Sequence, residues 1–116
     1  MPNITGLTIT SNYITIDYNN YKSITQANIQ NAVDQYVSNK EAAIKSYGPI
    51  NSWDTSNVTD MNSLFNKEGK AFNENISAWD VSNVNNMYGM FYNAQSFNQP
   101  LGSWNVAKVT NMNYMF

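Results

Sequence analysis

The chain has 116 residues and a net charge of −2 with only 12% charged residues, about one domain's worth with no electrostatic footprint for nucleic acid or an anionic surface. It contains no cysteine and no histidine, which excludes disulfides, Cys/His zinc sites and any catalytic scheme built on a thiolate or an imidazole. Hydrophobic residues make up 42%, enough for a core, yet no apolar run approaches the roughly 20 residues of a membrane span.

Residues 1–22 read as an N-terminal β-strand segment. Leu7 and Ile9, then Ile14, Ile16 and Tyr18, alternate with polar residues around Ser11-Asn12, the pattern of two short strands or a hairpin. No basic stretch followed by an apolar one succeeds Met1, so no signal peptide is visible. Residues 23–49 switch to helical spacing. Ile29, Val33, Tyr36 and Val37 share one helical face, with Ser23 or Thr25 as N-cap. Ser38-Asn39-Lys40-Glu41 has the form of a capping box, so Ser38 is expected to start a second helix that buries Ala42, Ala43, Ile44 and Tyr47. Gly48-Pro49 ends it. Two helices ahead of a repeat array look like an end cap, which such arrays need to cover their first apolar face.

Residues 50–116 repeat one sentence. It reads WDTSNVTDMNSLF from Trp53, WDVSNVNNMYGMF from Trp79 and WNVAKVTNMNYMF from Trp104 to Phe116. The tryptophans are 26 and then 25 residues apart, a period in the range of stacked supersecondary units. The repeats run 50–75, 76–100 and 101–116, the last one truncated, and the array is expected to continue into further repeats. Ile50-x-x-Trp53-x-Thr55, Ile76-x-x-Trp79-x-Val81 and Leu101-x-x-Trp104-x-Val106 have the spacing of a leucine-rich-repeat strand. Val58, Met61, Leu64 and Phe65, with their counterparts Val84, Met87, Met90, Phe91 and Val109, Met112, Met115, Phe116, have the spacing of a short helix. Phe72 and Phe97 mark the return leg.

These motifs, with Ala94-Gln-Ser-Phe97-Asn98-Gln99-Pro-Leu101-Gly-Ser-Trp104, resemble the BspA-like leucine-rich-repeat surface proteins, the Mycoplasma-type lipoprotein repeat. The resemblance implies an α/β solenoid of short parallel strands and short helices, behind a β-hairpin and a two-helix cap. It implies display on a cell surface or virion, with adhesion or protein interaction and no catalytic residues.

The structural repeat core is accordingly assigned to Trp53, Val58, Met61, Phe65, Phe72, Trp79, Val84, Met87, Phe91, Phe97, Leu101, Trp104, Val109 and Met112. Asp54, Asp80 and Asn105, next to the inward tryptophans, are the partner-facing candidates. Two carboxylates on adjacent rungs could share a calcium ion, but the third rung carries a neutral Asn105 and the ligand number falls short. No metal site, cofactor or catalytic residue is assigned. Two functional readings follow. One is a non-enzymatic surface-displayed adhesion module that binds a protein or glycan on another surface through a solenoid face. The other is a structural spacer or packing element among sister subunits of an assembly such as a virus particle. Nucleic acid and a membrane span are excluded from both.

Overall fold

The computed structural model describes residues 7–8, 15–16, 20–66 and 71–116. Strand β1 (Leu7–Thr8) pairs antiparallel with β2 (Thr15–Ile16), Leu7 opposite Ile16. The rest of the expected N-terminal strand pattern, Ile9, Ile14 and Tyr18, lies outside the described residues, as do residues 67–70.

Helix α1 (Ile29–Ser38) buries Ile29, Ala32, Val33 and Tyr36. The turn ahead of it is locked reciprocally. Thr25 N–H donates to Asn28 Oδ1 at 2.8 Å and Asn28 N–H to Thr25 Oγ1 at 3.2 Å, the logic of a capping box with an amide in place of glutamate. The chain breaks at Asn39 and restarts as α2 (Lys40–Tyr47), which buries Ala43. Here the expected Ser38–Glu41 box is corrected. Asn39 is the N-cap, its side chain accepting from Ala42 N–H at 3.2 Å, whereas Ser38 Oγ lies 3.5 Å from the Gln35 carbonyl. Asn39 competes one residue later with a better-placed acceptor. Gly48 then holds φ 83°, and a Cβ there would meet the Tyr21 ring at 2.9 Å, so only glycine fits.

The expected α/β solenoid is overturned. Beyond a 3₁₀ turn at Ile50–Ser52, the described residues of 50–116 form no helix. Their only strand-type pairing is the isolated parallel bridges Asp60–Asn86 and Asn86–Asn111. Each repeat is instead a chain of tight turns. Val58, Val84 and Val109 N–H donate to the carbonyls of Thr55, Val81 and Val106, and Leu64, Met90 and Met115 N–H to those of Met61, Met87 and Met112. A spacing of i, i+3, i+6 is satisfied by consecutive three-residue turns as well as by a helix. Helix propagation is blocked by Asp60, whose carboxylate takes the Asn62 N–H at 2.8 Å, and by Ser63 at φ 56°. Asx turns and left-handed residues divert the backbone bonds a helix would need.

Adjacent repeats touch in register. Met61, Ser63 and Phe65 N–H donate to the carbonyls of Asn86, Tyr88 and Met90. Met87, Gly89 and Phe91 N–H do the same to Asn111, Asn113 and Met115. Inside this frame the rings form columns. Trp53 stacks on Trp79 at 6.0 Å, Phe65 on Phe91 at 5.2 Å and Phe91 on Phe116 at 5.4 Å, and Phe72 on Phe97 at 5.9 Å. Of the assigned core, Trp53, Val58, Met61, Phe65, Phe72, Trp79, Val84, Met87 and Phe91 are buried. Phe97, Leu101, Trp104 and Val109 are partly buried against them, and Met112 is 43% exposed. Met112 sits on the third rung, which no further rung covers among the described residues.

The cap geometry makes a discriminating prediction. Asn39→Ala should lower stability by about 1 kcal/mol, while Ser38→Ala should change it by no more than about 0.5 kcal/mol, both read from urea midpoints. A larger loss for Ser38→Ala than for Asn39→Ala would reject the assignment of Asn39 as cap.

Candidate functional site

The partner-facing candidates Asp54, Asp80 and Asn105 are exposed, but their side chains are committed to the turns. Asp54 Oδ1 accepts from Ser56 N–H at 3.0 Å and Oγ–H at 2.6 Å. Asp80 Oδ1 accepts from Ser82 N–H at 2.9 Å and Oγ–H at 2.6 Å, and Asn105 Oδ1 accepts from Ala107 N–H at 3.1 Å. These three positions close corners, one per rung. The adhesion module acting through a strand face is thereby corrected, together with its rival spacer reading. With no strands among the described residues of the repeats there is no such face, and the residues meant to populate it are turn formers. Among the described residues, no group of three or more Asp and Glu side chains converges as a metal site. No helix among them is long and apolar enough to cross a membrane.

The Ser56 hydroxyl, and then its N–H, hold the Asp54 carboxyl below the ordinary aspartate value; slight burial and the neighbouring Asp80 oppose this weakly. Ser82 does the same for Asp80. A folded pKa below the unfolded one gives stability that is complete above the ordinary value of 3.8 and is lost as pH falls through the folded value. Asn105 shows that an amide keeps the corner without a proton equilibrium. The Asp54→Asn, Asp80→Asn double variant should therefore lose less stability than the parent between about pH 6 and about pH 2.5. Equal losses in the two proteins, followed by thermal melts, would show that the corner carboxylates do not govern the acid limb.

A different set of side chains gathers on another face. Ser63 and Asn66 of the first repeat, Tyr88, Gly89 and Tyr92 of the second and Tyr114 of the third line a cleft of ≈ 360 Å³. Tyr88, Tyr92 and Tyr114 are 37%, 44% and 67% exposed. Tyr114 stands edge-on to Tyr88 at 5.7 Å and 72°, and to Tyr92 at 6.3 Å and 88°. The floor comes from one repeat position. Ser63, Gly89 and Tyr114 are equivalents and have φ values of 56°, 60° and 55°. That conformation costs an L-residue roughly 1–2 kcal/mol, and glycine occupies the position only in the middle rung. A Cβ on Gly89 would meet Ser63 Oγ at 3.3 Å and Tyr92 Cβ at 3.9 Å, so the absent side chain keeps the cleft open.

None of these six residues stands out in the pattern that the repeats share. The signal was in the differences. Tyr88 replaces Asn62 and Asn113, Tyr92 replaces Asn66, and Tyr114 replaces Ser63 and Gly89 at equivalent positions.

Residues 27–116 match the family described as Mycoplasma protein of unknown function, DUF285, and the chain belongs to that family. This corrects the resemblance to BspA-like leucine-rich-repeat surface proteins, whose strand-and-helix repeat the turns of 50–116 do not form. No curated protein and no solved structure was found to match the chain.

Backbone strain at the floor position gives a direct test. Ser63→Gly should raise stability by up to about 1 kcal/mol, because release of the left-handed penalty exceeds glycine's extra chain entropy. Tyr114→Gly should also be stabilising or neutral despite deletion of a large side chain. A loss above about 1 kcal/mol in both variants, measured by denaturant titration, would show that the position is unstrained.

Proposed function

We propose that this domain is a non-covalent binding unit whose site is the tyrosine cleft, and that it takes an uncharged ligand built of rings. The observation that carries the reading is Tyr114, a bulky aromatic residue held at φ 55° with its ring edge-on to Tyr88 and Tyr92 in the cleft. Strain of this kind persists where the surroundings impose it and concentrates at ligand clamps. Its placement edge-on to Tyr88 and Tyr92 gives a ligand aromatic faces in more than one orientation.

The lining supports an uncharged ligand. It offers three phenols, one hydroxyl, one carboxamide and a glycine, with no formal charge to neutralise an ionic group. Its mixture of apolar faces and a few fixed polar groups is the usual make-up of a small-ligand site. Tyrosine also contributes a large contact area at low conformational cost. The reading assigns binding alone, with no bond made or broken.

The test is chemical-shift mapping by NMR on the 116-residue chain with a panel of neutral saccharides and proline-rich peptides. Perturbations should centre on Ser63, Asn66, Tyr88, Gly89, Tyr92 and Tyr114. Tyr92→Ala should weaken binding by about tenfold or more while leaving the melting temperature nearly unchanged. Binding that maps to the Asp54 and Asp80 corners instead, or that Tyr92→Ala leaves intact, would remove the cleft from consideration.

A further inference from the structure

We infer that the cleft takes a linear neutral oligosaccharide, more than one ring long, lying along the axis on which the repeats are stacked; this rests on the binding reading above. The cleft's direction is set by the backbone. Ser63, Gly89 and Tyr114 are equivalent positions on consecutive rungs. Their segments are joined by Ser63 N–H to the Tyr88 carbonyl at 2.8 Å and Gly89 N–H to the Asn113 carbonyl at 2.9 Å. The lining therefore crosses three rungs, or two spacings of roughly 4.8 Å, about 10 Å in all. A ligand touching both Asn66 at one end and Tyr114 at the other must extend over that length. A single sugar ring would meet only part of it.

The polar groups decide the ligand's chemistry. Ser63 Oγ–H donates to Asn62 Oδ1 at 2.6 Å, which leaves the hydroxyl oxygen turned to accepting. Asn66 brings both an acceptor and donors, and each phenol can do either. A ligand rich in hydroxyls meets such a set with both donors and acceptors, while its C–H faces lie on the tyrosine rings. A proline-rich peptide also stacks on aromatic grooves, but its prolines have no N–H to give. Seated here it would desolvate the acceptors of Ser63 and Asn66 without replacing their water, a costly omission for a buried polar group. The hydroxylated chain fits better.

The test is isothermal titration of the 116-residue chain with glucose and N-acetylglucosamine, their β-1,4-linked trimers, maltotriose and a decaproline peptide. At least one trimer should bind about tenfold or more tighter than its own monomer. Tyr114→Gly should bring that trimer down to the affinity of the monomer, and Tyr114→Phe should retain most of the difference. Equal affinities for monomer and trimer, or preference for decaproline, would overturn the linear oligosaccharide while leaving the cleft as the binding site. Heat signals unchanged by Tyr114→Gly and Tyr92→Ala together would overturn the cleft as well.

Discussion

Each indole of the repeats is held by one hydrogen bond that also sets the position of its repeat. Trp53 Nε1–H donates to the Gly48 carbonyl at 2.9 Å, Trp79 to that of Ile50 at 2.7 Å and Trp104 to that of Ile76 at 3.1 Å. A buried tryptophan must find an acceptor for its single donor. Here the acceptor of each later ring is the residue three before the preceding tryptophan. The ring can stack on its predecessor and satisfy its N–H only if the intervening chain returns to the same lateral position. The period of 26 and 25 residues is the length that return requires, and the phenylalanine columns and the backbone bonds between rungs follow once it is met.

A stack of this kind has a first rung with no rung beneath it, and the cap resolves the problem with side-chain amides. Between repeats, Asn85 N–H donates to the Thr59 carbonyl and Thr110 N–H to that of Asn85. Thr59 has no earlier repeat to receive its N–H. Gln26 Oε1 takes that bond at 3.0 Å together with the Asp60 N–H at 3.0 Å, and Gln26 Nε2 returns a donor to the Asp60 carbonyl at 2.8 Å. Gln30 Nε2 donates to the Leu64 carbonyl at 3.0 Å. A carboxamide has the donor and acceptor of a peptide group, so two glutamines flanking the start of α1 present the repeats with the edge of a missing rung. The helices cap the apolar end with Ile29, Val33 and Tyr36 while their polar flank completes the hydrogen bonding.

How much of this could be read from the sequence depends on which repeat position is considered. The inward tryptophans were legible because three copies in register agree, and a large apolar residue recurring at one position has few places to go except the core. The secondary structure between them was not. Val58, Met61 and Leu64 have a spacing shared by helices and by serial turns, and the deciding residues are polar. Asp60, Asn86 and Asn111 each take the N–H two residues on, a local alternative to the helical bond. The restart of α2 was legible to within one residue. Ser38 and Asn39 are both good caps, and only the backbone angles select between them.

The cleft illustrates the complementary difficulty, since repeat agreement hides sites built from disagreement. The conformation at Ser63, Gly89 and Tyr114 is imposed by the stacked turns, so every rung must accept it whatever side chain it carries. Glycine suits it best, and the middle rung has glycine. Selection for stability alone would favour glycine or asparagine at the third rung too, because those residues tolerate the left-handed region. Tyrosine there bears the steric penalty and meets Tyr88 and Tyr92 edge-on. The same backbone geometry that makes Tyr114 costly also lifts its ring clear of the rung and turns it across the other two. A strained position that the fold must keep is thus a rigid mount for an exposed aromatic side chain, and it holds that ring open before any ligand arrives.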